Sequence, residues 1–156
     1  KHNLICIVIV LTIFLLDRIS KFKIIENLKI NDEIFVNNYL NLELVWNTGI
    51  GFGLLSGNAD FLYHTISLVI FLLIILLIYL INKSMLVEKI LFATILGGAI
   101  GNFYDRIMFF AVPDFIDLHY ENIHWFTFNI ADIFISFGII GLIFLELIKN
   151  KKNVKI

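Results

Sequence analysis

The stretch Phe61–Ile81, with the sequence FLYHTISLVIFLLIILLIYLI, decides the fold. Its interior polar groups are His64, Thr65 and Ser67. An α-helix needs about 20 apolar residues to cross the hydrocarbon core of a bilayer. This stretch therefore predicts a membrane-spanning helix, and lipid rather than water is the expected surrounding of the protein.

Three further apolar blocks accompany this stretch in a chain of 156 residues, 60% of them hydrophobic. Soluble domains average about 45–50% apolar residues. We expect one integral membrane domain over residues 1–156. Its class is membrane all-α: a four-transmembrane-helix bundle with a small extracytoplasmic β-sheet and loop. The predicted spans are approximately residues 4–20, 61–81, 85–104 and 128–148.

The first block also resembles a secretory signal peptide, because a basic start precedes a short apolar core. After that core comes Leu16-Asp17-Arg18-Ile19-Ser20-Lys21, which offers no small-x-small cleavage site. We therefore expect a retained helix, in which the lone Cys6 serves as a small apolar residue.

The lysines predict the orientation of the chain in the membrane. Residues 104–127 hold Arg106 as their single basic residue. The C-terminal end is lysine-rich, and the connection between the second and third spans has Lys83, with Lys89 just inside the third span. By the positive-inside rule both termini face the cytoplasm, and residues 22–60 and 104–127 lie outside. Three lysines in the first outer segment run against the rule, but four spans require the same orientation: Lys21, Lys23 and Lys29.

The outer segments carry strand patterns. Leu40, Leu42, Leu44 and Trp46 alternate with other residues, which predicts a half-buried strand over 40–46. Further strands are expected at 115–120 and 124–128, which are rich in aromatic and β-branched residues. The glycine-rich segment 47–53 follows the first strand and predicts a sharply turning loop.

Polar residues beside the spans are the candidate site. Asp132 lies near the start of the fourth span with Asn129 three residues before it, and Asn102 and Arg106 share a face of the third. A carboxylate at the bilayer centre costs about 2.5–3.5 kcal/mol on insertion scales, so such a group is expected to have a structural partner or a function. One alternative is an ion pair of Arg106 with a neighbouring aspartate, Asp105 or Asp17.

Asn129 supplies no cation for Asp132, and a carboxyl without a cation tends to share a proton with another carboxyl. Aspartic proteases use that state, because one aspartate activates a water while its protonated partner polarises the scissile carbonyl. Asp132 then needs a second carboxylate at the same level. The spacing leaves four candidates open: Asp17, Asp105, Asp114 and Asp117.

Other chemistries find little support. His119 and His124 lack the HExxH pattern of a zinc protease, and no G-x-S-x-G nucleophile motif occurs. A net charge of −1 gives no basic field for nucleic acid. The ridge Ala93, Gly97 and Gly101 predicts close helix packing rather than chemistry.

Five segments, in order, make the chain resemble the bacterial lipoprotein signal peptidases, also called signal peptidase II. They are Asp17–Lys21, Asn47–Gly53, Gly97–Arg106, Val112–Asp117 and Phe128–Asp132. The one visible departure is Gly51, where alanine is common in the family.

The resemblance implies an aspartic endopeptidase that uses no metal and no cofactor. It implies removal of the signal peptide from prolipoproteins just before a diacylglyceryl-modified cysteine, at a site near the outer face. Membrane lipid and globomycin-type inhibitors are the further expected partners. The resemblance assigns Asp114 and Asp132 as the catalytic pair, surrounded by substrate-binding or dyad-supporting residues: Asp17, Asn47, Asn102, Arg106 and Asn129.

Two other functional classes fit the sequence less well. A small proton-coupled membrane transporter would place its polar groups near the midplane and repeat its halves, and neither pattern is present. A non-catalytic scaffold would leave the carboxylates unexplained. Since the scissile segment must be extended, we also expect the outer strands to pair with it, and we expect a proline in the strand at 40–46 to reduce cleavage.

Overall fold

The computed structural model describes residues 2–29, 32–49, 59–121 and 123–153. Four helices are long and apolar enough to cross a membrane. All four end later than the sequence predicts; α1 and α2 also begin earlier, whereas α3 and α4 begin slightly later. Their bounds are α1 His2–Asn27, α2 Ala59–Lys83, α3 Leu86–Phe109 and α4 Ile130–Asn153.

A four-stranded antiparallel sheet with the order β1-β2-β3-β4 accompanies the helices, and this confirms the predicted fold class. The sequence does not predict its first strand, because the apolar residues of that strand are consecutive and show no alternation. The strands are β1 Glu33–Asn37, β2 Leu40–Asn47, β3 Val112–Tyr120 and β4 Ile123–Phe128.

The alternation predicted for β2 is wrong in detail. Asn41 and Leu44 are the buried residues of this strand, because a bulge lies between Leu42 and Val45 and changes which residues face inward. The bulge is produced by pairing with β3, which a single strand's sequence does not reveal.

The position of β2 also restricts substrate pairing. β2 lies between β1 and β3, so over Leu40–Glu43 both of its edges are occupied. Pairing of substrate with the outer strands stays a prediction, and within β2 it is limited to residues whose edge is free. In the described chain, β2 keeps a free edge on the β1 side over Leu44–Asn47, and β1 and β4 are the edge strands of the sheet.

Helix α3 is the centre of the bundle and packs against the other three helices. Its small residues allow the close approach: Gly97 lies against Ile13 of α1, and Gly98 lies against Ala131 and Ile135 of α4. A buried cluster of Cys6, Ile74, Ile81, Ala93 and Leu96 forms the apolar core.

Two short connections fix the sheet to the bundle. β3 follows α3 after Phe110, which is in the left-handed conformation with φ 57°, and Ala111. Asn129 alone separates the end of β4 from the start of α4. The C-terminal end of α3 and the N-terminal end of α4 therefore lie next to the strands β3 and β4.

Candidate active site

Asn129 and Asp132 form a reciprocal cap at the start of α4. The Asn129 backbone N–H donates to Asp132 Oδ2 at 3.1 Å, and the Asp132 backbone N–H donates to Asn129 Oδ1 at 3.1 Å. This is the capping-box arrangement, in which two otherwise unpaired N–H groups of the first turn are satisfied. Asp132 thus lies in the first turn of α4, where the helix dipole favours negative charge.

Asn129 also contacts the second carboxylate. Its Nδ2 donates to Asp114 Oδ1 at 2.6 Å, and Asn47 Nδ2 donates to Asp114 Oδ2 at 2.9 Å. Asn102 Nδ2 donates to Asp132 Oδ1 at 2.8 Å. Three asparagines therefore hold two carboxylates, and one of the three joins both.

Asn47 lies at the end of β2, and its two side-chain atoms serve different partners. Its Oδ1 accepts the backbone N–H of Gly49 at 2.7 Å, which leaves the amide nitrogen for Asp114. Gly49 has φ 82°, a conformation that favours glycine. The rest of the predicted glycine loop, residues 50–53 with Gly51, lies outside the described residues.

Asp114 is almost fully buried, with 3% of its surface exposed. Burial raises the pKa of this carboxyl from 3.8 to about 6, and the negative charge of Asp132 adds to that rise. The hydrogen bonds from Asn47 and Asn129 act in the opposite direction on this pKa, because they favour the ionised form. Asp114 therefore titrates near neutral pH, as groups that transfer protons in enzymes often do.

Asp17 and Asp105 are both fully buried and are neutralised by cations. Lys21 Nζ lies 2.9 Å from Asp17 Oδ2 and 2.7 Å from Asp105 Oδ2, and Arg18 pairs with the same two carboxylates. The other Asp17 oxygen accepts the backbone N–H of Ala131 at 3.1 Å, which ties α1 to the first turn of α4.

Lys21 is a site-building residue that the sequence does not reveal. The sequence shows it only as a charge against the positive-inside rule, yet its side chain is 1% exposed. Its Nζ donates to Asn102 Oδ1 at 2.9 Å, so the opposite amide atom, Nδ2, is directed at Asp132. The spacing of Asp17 and Lys21, four apart on a helix, is the signal that could have found it.

Arg106 does not form the ion pairs that the sequence allows. Within the described chain, Arg18 and Lys21 take Asp105 and Asp17 instead. The Arg106 guanidinium approaches Gly49, with Nη2 3.6 Å from where a Cβ would lie, and its buried Nε has no hydrogen-bond partner among the described groups. Arg106 thus borders the loop that follows β2.

Asp117 faces two histidines, His119 and His124. Among the four candidate partners of Asp132, two carboxylates pair with cations and one faces histidines. Asp114 is the candidate that shares an asparagine with Asp132. Strand pairing brings it there, because Asp114 lies opposite Val45 on β2, two residues before Asn47.

Known proteins are similar to the chain over most of its length. The chain is 45% identical to the lipoprotein signal peptidase of Pelagibacter ubique, over 98% of this chain and 93% of that protein. It is 36% identical to the lipoprotein signal peptidase of Anaplasma phagocytophilum, with 97% of each chain covered.

A solved bacterial membrane enzyme, determined by the in meso method at 1.9 Å resolution, shares the fold with a TM-score of 0.79 and 30% identity. The similarity covers 91% of this chain and 92% of that one. The family model for signal peptidase (SPase) II matches residues 9–148. The chain belongs to the signal peptidase II family of peptidases.

Proposed function

We propose that the chain is an aspartic endopeptidase that removes the signal peptide from diacylglyceryl-modified prolipoproteins by cleaving before the lipidated cysteine. Asp114 and Asp132 are the catalytic pair. The observation that carries the proposal is Asn129, which donates one hydrogen bond to each carboxylate and so holds the two side by side. Family membership supplies the substrate class, because the relatives at 45% and 36% identity are lipoprotein signal peptidases.

The environments of the two carboxylates support different roles in the reaction. Asp132 accepts hydrogen bonds from the Asn102 amide and from the Asn129 backbone N–H, and it takes a proton from the attacking water. Asp114, whose raised pKa favours the protonated form, donates a hydrogen bond to the scissile carbonyl oxygen. The water oxygen bonds to the carbonyl carbon, the C–N bond then breaks, and the leaving nitrogen receives the proton.

The surrounding polar residues position these groups. Asn47, Asn102 and Asn129 orient the carboxylates, and Asp17 supports the first turn of α4 through the Ala131 N–H. Arg106 contacts substrate: its Nε is unpaired among the described groups and its guanidinium borders the loop after β2.

The membrane is part of the mechanism. The protein is a multi-pass protein of the bacterial inner membrane. Within the proposal it is one membrane domain with both termini in the cytoplasm and with residues 22–60 and 104–127 at the outer face. Prolipoprotein and enzyme then share one bilayer, which lowers the entropic barrier to their encounter. Globomycin-type inhibitors are expected to occupy the same site.

Reconstituted protein and a diacylglyceryl-modified prolipoprotein test the proposal. We expect Asp114→Asn and Asp132→Asn each to lower cleavage by at least about a thousandfold, because neither amide can carry the transferred proton. Loss of the signal peptide on a gel measures the rate. The matched control is Asp32→Asn, which alters an exposed carboxylate and should keep full activity. Wild-type activity in either dyad variant would refute the assignment.

A further inference from the structure

A second group of polar side chains lies further along the sheet. Asp117 and His119 are two residues apart on β3, and His119 pairs across the hairpin with His124 of β4. Residues two apart on a strand point to the same side, and directly paired residues do as well. The hairpin therefore brings one carboxylate and two imidazoles together.

The donor atoms converge on a small volume. Asp117 Oδ2 lies 2.8 Å from His124 Nδ1 and 3.3 Å from His119 Nδ1. One ligand atom from each of the three residues lies within 4.8 Å of the others. Donors around Zn²⁺ bond at about 2.0–2.2 Å and so lie roughly 3.3 Å from one another in a tetrahedron. The distance from Asp117 Oδ2 to His119 Nδ1 already has this value.

Two buried atoms of the group lack a hydrogen bond. Asp117 is 1% exposed and His119 is 6% exposed. Among the described residues, Asp117 Oδ1 and His119 Nδ1 have no hydrogen-bond partner, and the 3.3 Å approach of His119 to Asp117 lacks hydrogen-bonding geometry. Native interiors rarely leave such atoms unpaired, and a bound ion is one way in which they are satisfied.

The electrostatic surroundings favour a cation. Thr127 lies opposite Asp117 in the sheet and donates to Glu43 Oε1 at 2.7 Å. The charges of Glu43 and Glu33 also act on the His124 ring. Three carboxylates thus act on the His124 ring, and their negative charge also attracts a divalent ion.

We propose that Asp117, His119 and His124 bind one divalent transition-metal ion of the Zn²⁺ class. Two imidazole nitrogens and one carboxylate oxygen suit this class of ion, and a water completes the tetrahedron. The ion joins β3 to β4 and stabilises the hairpin. It takes no part in peptide hydrolysis, since the hydrogen bonds that Asp114 and Asp132 accept in the described chain come from the three asparagines and involve none of the ion's ligands.

Co²⁺ titration of untagged, chelator-treated protein in detergent tests the site, because tetrahedral Co²⁺ absorbs visible light. We expect a band that saturates at one Co²⁺ per chain and disappears when Zn²⁺ is added. His124→Ala should abolish the band, and this residue is more than half exposed, so the variant should fold. His64→Ala, which removes a histidine of α2, is the matched control and should keep the band.

Thermal unfolding supplies a second measurement. Zn²⁺ should raise the Tm of the wild type and of His64→Ala by several degrees and leave His124→Ala unchanged, because an ion stabilises only the state that binds it. A metal-free imidazole–carboxylate ion pair is the rival interpretation. The absence of a band in the wild type, or the same band in His124→Ala, would overturn the proposal and favour the metal-free ion pair.

The ion site and the proposed peptidase activity can fail independently. Asp132→Asn protein, inactive under the proposed function, should bind one Co²⁺ as the wild type does. His124→Ala should still cleave prolipoprotein in the presence of chelator at a temperature well below its Tm. Loss of Co²⁺ binding in Asp132→Asn would contradict the separation of the two sites.

Discussion

Asn129 hydrogen-bonds to two carboxylates and also caps the start of α4. Its backbone N–H and Oδ1 bond to Asp132, while its Nδ2 reaches Asp114. The hydrogen bond to Asp114 fixes which amide atom is nitrogen, since only that atom can donate to a carboxylate. A single side chain thereby sets the separation of the two acids.

The protonation of Asp114 affects stability as well as chemistry. Because its pKa is raised to about 6 in the folded protein, the folded state holds the proton more tightly than the unfolded chain does. The resulting stabilisation is present below about pH 4 and is lost as the pH rises to about 6. A shift of roughly two units corresponds to about 3 kcal/mol.

Asp114→Asn has no titrating carboxyl at this position, so its stability should not fall as the pH rises to about 6. We expect the stability of the variant relative to wild type to rise by up to about 3 kcal/mol between about pH 4 and pH 7.5. Thermal unfolding in detergent at several pH values measures the difference. Asp32→Asn is the control, and its Tm difference should not change with pH. A pH-independent difference for Asp114→Asn would contradict the burial argument.

At the scale of single residues, the sequence predicts half of the site's geometry. Asp132, Asn129 and Asn102 stand out because polar groups in apolar spans need partners. Asp114 and Lys21 do not, since their partners are distant in sequence: Lys21 Nζ contacts Asp105, 84 residues away, and Asp114 contacts Asn47, 67 residues away. The family resemblance supplies the role of Asp114, whereas Lys21 belongs to the matching segment Asp17–Lys21 without a role being assigned to it.

At the scale of elements, a buried cluster of two cations and two carboxylates joins α1 to α3. Lys21 is its centre, because its ammonium group contacts both Asp17 and Asp105. The cluster lies at the end of the bundle nearest the sheet, next to Asn102. Its integrity therefore affects both the packing of the two helices and the orientation of the Asn102 amide.

Lys21→Met should lower the free energy of unfolding by about 3–5 kcal/mol, because it removes one partner of a buried ion pair and leaves buried carboxylates undercompensated. Cleavage should fall as well, since Asn102 loses the contact that orients it. Lys23→Met, at an exposed position two residues later, is the matched control. Denaturation in mixed micelles measures stability, and equal stability of the two variants would count against a structural role for Lys21.

The contact between α3 and α4 depends on Gly98. A Cβ at this position would lie 2.5 Å from the Ala131 carbonyl oxygen and 2.8 Å from Ile135 Cγ1. Since the first of these atoms is backbone, Gly98→Ala must push α4 away, and overpacking of this kind typically costs about 1–3 kcal/mol.

Gly141→Ala is the control for Gly98→Ala. Its Cβ would meet the end of the Leu91 side chain, with Cδ2 at 2.7 Å, which can rotate away. We expect Gly98→Ala to lower the Tm clearly more than Gly141→Ala does. Because Ala131 adjoins Asp132, Gly98→Ala should also reduce cleavage. Equal Tm values would contradict the argument, because they would mean that α4 accommodates a Cβ equally well at both positions.

Elements are predictable where one local pattern dominates. The apolar blocks predict the four helices, and segments rich in aromatic and β-branched residues predict β3 and β4. The sequence misses β1 because Ile34, Phe35 and Val36 are consecutive and all exposed. It misses the bulge in β2 because that bulge arises from pairing with β3. α1 and α3 extend beyond the predicted spans where Lys21 and Asp105 are paired inside the bundle.

At the scale of the whole molecule, the site lies between two layers. The helices supply Asn102 and Asp132, and the sheet supplies Asn47 and Asp114. The hydropathy of the chain predicts the helical layer well. The placement of the sheet over one end of that layer depends on two short connections, at Phe110–Ala111 and at Asn129.

The proposed orientation can be tested by cysteine labelling. With Cys6 replaced by alanine, Asn38→Cys in the exposed β1–β2 turn should react with a membrane-impermeant maleimide on intact spheroplasts. Ser84→Cys, between α2 and α3, should react only after permeabilisation. Comparison of gel shifts before and after lysis measures the difference. The reverse pattern would place the sheet and the dyad on the cytoplasmic side.

The three asparagines that hold the two carboxylates have a consequence for drug resistance. Asn47, Asn102 and Asn129 come from three different parts of the fold, and each donates to an acid on which the proposed reaction depends. An inhibitor that binds through these amides contacts residues that the bacterium cannot exchange without disordering its own catalytic pair. Escape by point mutation would then be restricted to the periphery of the site, where each change weakens the inhibitor only slightly.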